Sequence, residues 1–173
     1  MPIGGWWLAN RYREDWEEYH KMYQGCLPDE NYEKGKHMNG EQAKTHYVAP
    51  GQPHVWVWKR CSFDAAHQLP LYQGACSRVH GHTYFVELGV LCSIDPATGM
   101  GLDLKELGEF LKSNVEALFD HQFINDRIPG QHSTAEGIAR YILEVADRYF
   151  NKSFVKVRVY ETPDSWVEMD SSR

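Results

Sequence analysis

Three histidines, His67, His80 and His82, fall within FDAAHQLPLYQGACSRVHGHTYFVELGV, residues 63–90, with Cys76 between them. If residues 80–90 are extended, His80 and His82 point to one face, because side chains two apart in a strand align. In the preceding segment Cys61, Phe63, Ala65 and His67 share a face. Two neighbouring strands then aim three imidazoles at one point. Three neutral nitrogen ligands with a free fourth corner make the arrangement of a catalytic zinc site, with Zn–N distances of about 2.0–2.1 Å. Gly81 between two ligands lets backbone or a substrate approach closely, and the small Ala65 and Ala66 leave room. A lone histidine is ordinarily a surface or hydrogen-bonded core residue, but three at this spacing favour a divalent metal. Cys76 has two readings. It closes the fourth corner of a structural zinc site, or it stands beside the metal as a thiol of lowered pKa, acting as base or nucleophile. The loop-like setting of CSRV favours the second.

Two further features carry chemistry. FDHQFIND sets Asp120 beside His121 just past a helix end, and a carboxylate that orients a histidine is one way to build a proton shuttle. The pair alone is weak evidence, since Asp-His is an ordinary dipeptide. In SFVKVRVYE, Glu161 lies on the same side as Val155, Val157 and Val159, and a carboxylate on an apolar face needs a partner. That partner is an internal arginine, a backbone N–H, or a ligand edge with paired N–H donors.

The elements that must position these groups are legible in the periodicity. VWVWKRCSFDAAH reads as a strand and HTYFVELGVLC as a second. IDPATGMG is a turn. DLKELGEFLKSNVEALF follows at helical period, with Leu104, Leu107, Leu111 and Leu118 on one face and Asp103 and Glu106 as a capping box. NDRIPGQH is loop. STAEGIARYILEVADRYF is a second helix, with Ser133 and Glu136 as its capping box and Ile138, Tyr141, Ile142, Val145 and Tyr149 as its apolar face. SFVKVRVYE is a third strand, TPDS a turn and WVEM a short fourth strand. The order ββααββ predicts an α+β domain, an antiparallel sheet covered on one face by two helices.

Residues 1–54 form a separate extension ahead of a domain over 55–173. Within it NRYREDWEEYHKMYQG predicts an amphipathic helix, capped by Asn10 and stopped at Gly25, whose stripe of Tyr12, Trp16, Tyr19 and Tyr23 packs on the body or on a neighbouring subunit. Residues 26–54 read as polar loop, and His37, His46 and His54 as solvated.

The chain has 173 residues and a formal charge of -6. That balance argues against nucleic-acid binding, which wants a basic footprint. No apolar run is long enough to span a bilayer, and no basic amphipathic segment suggests a membrane surface. The N-terminus lacks the pattern of a signal peptide. Cys26, Cys61, Cys76 and Cys92 are scattered, which predicts reduced thiols and a cytoplasmic protein.

FDAAH, CSRVHGH, IDPATGMGLDLKEL, FDHQFIND, STAEGIARYI and VRVYET, in that order, resemble the 6-pyruvoyl-tetrahydropterin synthase superfamily over residues 55–170. The resemblance implies a tunnelling fold (T-fold). Its ββααββ subunits join through their sheets into a homo-oligomeric ring, usually a trimer, two rings stack into a hexamer, and active sites lie between subunits. Cys76 and His80 have three residues between them, where the biopterin-pathway synthases have five. That spacing is similar to the bacterial 6-carboxy-5,6,7,8-tetrahydropterin synthases of the queuosine and 7-deazapurine pathway. These convert 7,8-dihydroneopterin triphosphate to 6-carboxytetrahydropterin, acetaldehyde and triphosphate.

By the same resemblance His67, His80 and His82 hold Zn²⁺, which acts on the substrate side chain as a Lewis acid. Cys76 is the base, and His121, oriented by Asp120, relays protons, from a neighbouring subunit. Glu161 anchors the pterin, and Thr134 sits where the exposed N–H groups of the second helix also touch it. Arg78 and Lys105 are candidates for the triphosphate. The chain departs from the common bacterial form in its long N-terminus and in TPDSWVEM after Glu161, which is closer to the biopterin-type ending. The alternative activity is therefore the 6-pyruvoyl-type elimination of triphosphate. A non-catalytic zinc- or pterin-binding module is the third reading.

Overall fold

A computed structural model of the chain describes residues 51–128, 132–150 and 153–171. The expected aromatic helix over 10–25 lies outside these residues, as do His37 and His46. His54, expected in a loop, is the exposed first residue of the first strand.

Two long strands form the frame. β1 (His54–His67) and β2 (His80–Ser93) pair antiparallel along their whole length, from His54 opposite Ser93 to His67 opposite His80. Their valines and aromatics fit a pleated, half-buried surface. β2 begins at His80, two residues earlier than the apolar run suggests, because the ladder extends to the HGH motif itself. α1 (Leu104–Leu111) follows, then a π-helical segment (Lys112–Glu116) and the short α2 (Ala117–Phe119). Asp103 caps α1, its carboxylate accepting the Lys105 N–H at 2.8 Å. Leu107 and Leu111 are buried as expected, whereas Leu104, in the first turn, is exposed.

The connection after α2 is not all loop. It contains β3 (Gln122–Phe123) and α3 (Ile124–Arg127). β3 pairs parallel with β1 through Ala65 and Ala66, so the sheet is mixed rather than wholly antiparallel. α4 (Ala135–Tyr149) leads to β4 (Val155–Thr162) and β5 (Ser165–Asp170). The strand order is β3-β1-β2-β4-β5. Thr134, not Ser133, caps α4, its hydroxyl accepting the Gly137 N–H at 3.3 Å, because Ser133 is engaged elsewhere.

Helices cover one face. Val155, Val157 and Val159 of β4, Tyr84, Val86 and Leu88 of β2, and Ile138 and Ile142 of α4 are buried together. Phe63 stacks between Tyr84 and Phe119, with ring centroids 5.2 Å apart on both sides. Each such buried ring or branched chain contributes about 1.5–3 kcal/mol. The other face of the sheet carries paired charges and rings: Arg60 over Phe85 at 4.3 Å, and Arg158 over Trp58 at 4.7 Å. β4 has a bulge at its end. Tyr160 pairs with Trp166 and Thr162 with Ser165, so Glu161 has no partner of its own on β5. A bulge bends the strand and re-aims the side chain at it.

Candidate metal centre and active site

The end of the β1–β2 ladder places the histidines. His67 lies directly opposite His80, and His82 opposite the small, buried Ala65. Gly81 is needed here for a backbone reason. A Cβ on it would stand 3.0 Å from the Ala65 carbonyl oxygen.

His67, His80 and His82 form a group able to hold a metal ion, with ligand atoms all within 4.8 Å of one another. His67 is buried, and the other two are half-buried. The His67 and His80 Nε2 atoms are 3.1 Å apart. Their other ring nitrogens face backbone carbonyls: His67 Nδ1 lies 2.6 Å from the Ser133 oxygen, and His80 Nδ1 2.8 Å from the Arg78 oxygen. A carbonyl only accepts, so each Nδ1 carries the proton and each Nε2 offers its lone pair to the centre. His82 Nε2 is buried and has no hydrogen-bond partner. An orphaned acceptor beside two aligned lone pairs is what a cation satisfies, so the residues fit a divalent metal. Burial holds the His82 pKa below its ordinary value, against a smaller opposing effect of Glu161. His82 therefore stays neutral and able to ligate at neutral pH.

Glu161 reaches the same centre. Its Oε1 lies 3.4 Å from His67 Nε2 and 3.7 Å from His82 Nε2. The Tyr84 hydroxyl is fully buried beside that carboxylate without hydrogen-bond geometry, and burial first, then Glu161, raises its pKa. Cys76 occupies a single 3₁₀ turn (Ala75–Ser77). Its thiol is not part of the metal-binding group. Cys76, Arg78 and His80 line a cavity of about 400 Å³. The turn is tied back to the metal strand, since Leu69 N–H donates to the Cys76 carbonyl at 2.9 Å and Gln68 Nε2 to the Ser77 carbonyl at 2.8 Å.

Asp120 and His121 form a pair at the sheet edge, Oδ2 to Nδ1 2.9 Å, with 47% and 78% of their side chains exposed. Asp64 of β1 clamps them. Its N–H donates to Asp120 Oδ1 at 3.0 Å, and its carbonyl accepts the His121 N–H at 2.7 Å. His121 holds φ at 57°, a left-handed backbone uncommon outside glycine. The Asp64 N–H first, and His121 second, lower the Asp120 pKa, so this carboxylate is ionised. Both His121 and His82 line a concavity of about 650 Å³ that also includes Asp64, Gly81 and Thr83. Thr134, placed by sequence near the ligand, spends its hydroxyl on capping α4 and stands next to Ser133. Lys105 is exposed and paired with Glu109 at 3.8 Å, away from the cavity walls that Arg78 lines.

Sequence patterns did not reveal the supports: the carbonyls of Ser133 and Arg78 and the backbone of Asp64. Carbonyls are the same in every residue type, so no side-chain pattern marks them.

Residues 56–172 match the family described as 6-pyruvoyl tetrahydropterin synthase. The chain belongs to the 6-pyruvoyl tetrahydropterin synthase family. It is 33% identical over 124 residues to 6-carboxy-5,6,7,8-tetrahydropterin synthase of Synechocystis, covering 69% of this chain and 96% of that protein. It is 32% identical over 128 residues to human 6-pyruvoyl tetrahydrobiopterin synthase, covering 64% and 88% respectively. Among solved structures, 6-pyruvoyl tetrahydropterin synthase of Caenorhabditis elegans superposes with a TM-score of 0.63 at 26% identity, over 70% of this chain and 98% of that one. Those family members are named as pterin synthases, and the family's T-fold accounts for the α+β architecture seen here. Among the described residues no helix is long and apolar enough to cross a membrane, and Cys61, Cys76 and Cys92 are free thiols.

Proposed function

We propose that this protein is a zinc-dependent 6-carboxy-5,6,7,8-tetrahydropterin synthase, a carbon–carbon lyase of the queuosine pathway. It converts 7,8-dihydroneopterin triphosphate, with uptake of water, to 6-carboxytetrahydropterin, acetaldehyde and triphosphate. The observation that carries this reading is the convergence of His67, His80 and His82, with an orphaned Nε2, next to a thiol that is outside the ligand set. Zinc held by these three imidazoles supplies Lewis-acid polarisation of the substrate's side-chain oxygens.

The chain's own residues then divide the work. Cys76, in the cavity wall with His80, removes a proton from the substrate side chain. Its separation from the ligand cluster leaves the sulfur free to act as base. His121, held by the ionised Asp120, returns protons. Exposure of this pair at the sheet edge supports its serving a neighbouring subunit in a homo-oligomeric, trimer-based ring. Glu161 accepts hydrogen bonds from the pterin, and Thr134 with the α4 N-terminus lies beside it. The Glu161 carboxylate lies close to two of the three imidazoles, so a pterin held by it would sit beside the ligand cluster. Arg78, in the same cavity wall as Cys76, is the better placed of the two candidate cations for the triphosphate. Residues 55–173 constitute the catalytic domain, residues 1–54 an appended segment, and the free thiols accord with a cytoplasmic location.

Elimination of triphosphate to a 6-pyruvoyl product is the second reading, favoured by the human relative at 32% identity. Purified protein incubated with 7,8-dihydroneopterin triphosphate separates the two. Acetaldehyde in step with triphosphate is expected. A 6-pyruvoyl product without acetaldehyde rejects the carbon–carbon lyase.

A further inference from the structure

The β1–β2 ladder ends at the pair His67–His80, so the metal-site histidine His67 is the last residue of its strand with a strand partner on that side. The next residue, Gln68, has its backbone completed by a side chain. Gln68 N–H donates to Asn125 Oδ1 at 3.0 Å, and Asn125 Nδ2 donates to the Gln68 carbonyl at 2.8 Å. The amide of Asn125 thus imitates one more residue of strand. Asn125 is rigidly placed, because its short helix α3 is pinned by Ile124 and Ile128, both fully buried.

A second support meets the same peptide. Ser133 Oγ donates to the Gln68 carbonyl at 2.8 Å, while the Ser133 carbonyl accepts a hydrogen bond from His67 Nδ1 at 2.6 Å. The turn carrying Ser133 fits over α4 only because residue 137 is glycine. A Cβ there would collide with the His132 carbonyl oxygen.

We infer that Asn125 is a positioning residue for the metal: through Gln68 and Ser133 it fixes the ring orientation and tautomer of His67. The physical reason is that a chain end frays unless its backbone groups are paired. A ligand allowed to fray must be ordered by the metal, at the expense of binding free energy. Groups that orient metal ligands typically change metal affinity about 10–100-fold when removed. This inference rests on reading the triad as a zinc site.

The test is chelator-competition titration of zinc on the full chain after metal removal, with the melting temperature of the metal-free protein alongside. Asn125→Ala is expected to bind zinc about 10–100-fold more weakly. Asn125→Asp, which keeps the acceptor for Gln68 N–H but sets an oxygen against the Gln68 carbonyl, is expected to be weakened as well. Val115→Ala, at the one buried residue of the π-helical segment, serves as the control. It should lower the melting temperature with zinc affinity unchanged, separating positioning from general stability. The cobalt-substituted Asn125→Ala protein should also show altered ligand-field absorption. Wild-type affinity in Asn125→Asp and in Ser133→Ala overturns the inference, and these two variants decide it if Asn125→Ala does not fold. Absence of zinc binding by the wild type rejects the zinc reading itself, a different result from equal binding by wild type and variants.

Discussion

His67 and His80 face each other across two antiparallel strands with their Nε2 atoms 3.1 Å apart, each ring locked from behind by a backbone carbonyl. Two lone pairs so close repel unless a proton or a cation lies between them. Replacing His82, the third member, by alanine is therefore expected to weaken zinc by more than the roughly 100-fold upper end seen for groups behind the ligands. Inductively coupled plasma analysis of the purified variant should find it largely metal-free. Stoichiometric zinc in His82→Ala would remove it from the ligand set.

The lowered pKa of His82 makes metal-free stability depend on pH. In the unfolded chain His82 titrates near its ordinary value, so between that value and the lower folded one the unfolded state binds more protons. Stability from this group is complete above about pH 6.5 and is lost as pH falls through the folded pKa. Urea titrations of the apoprotein from pH 7.5 to 5 should show the decline, and His82→Gln should reduce its slope.

Cys76 lies outside the metal-binding group, so removing its thiol should leave the metal in place. Cys76→Ala is expected to retain full zinc content and lose about 10²–10⁴-fold in turnover, the usual range for an acid–base group. Loss of zinc along with turnover would make the sulfur a ligand instead. Cys61 and Cys92 do not complicate the result, since burial pushes their thiols up to about 12 and about 11.

Asp120→Asn isolates the proposed proton relay. The asparagine oxygen can still accept the Asp64 N–H, but its amino group then faces His121 Nδ1 and reverses the tautomer. Turnover should fall by about 10²–10⁴-fold, with zinc content and melting temperature near wild type. An Asp120→Asn enzyme of normal turnover would show that His121 works without its carboxylate.

The strands, the helices and the shared face of the three histidines were legible because each follows from a local period. Alternation in Phe63, Ala65 and His67, and in His80, His82 and Tyr84, predicts which residues meet once the two strands pair. What escaped was set by contacts between residues distant in sequence. FDHQFIND gives no sign of a strand, yet hydrogen bonds to Asp64 draw it onto the edge of β1 and create β3. Ser133 looks like a helix cap by its position, but Gln68 and His67 claim it, and Thr134 takes the cap.

By itself, then, the sequence determined which histidines are candidate ligands, the face they share and the family to which the chain belongs, since periodicity is a property of one segment at a time and motif order is read along the chain. Only the tertiary structure decided how the ligands are oriented, that Glu161 reaches the histidines, and that the sulfur of Cys76 stands apart from them. Those outcomes depend on where the ladder ends, on which carbonyls lie behind the rings and on the bulge that aims Glu161, and all follow from packing between segments as distant in the chain as His67 and Glu161.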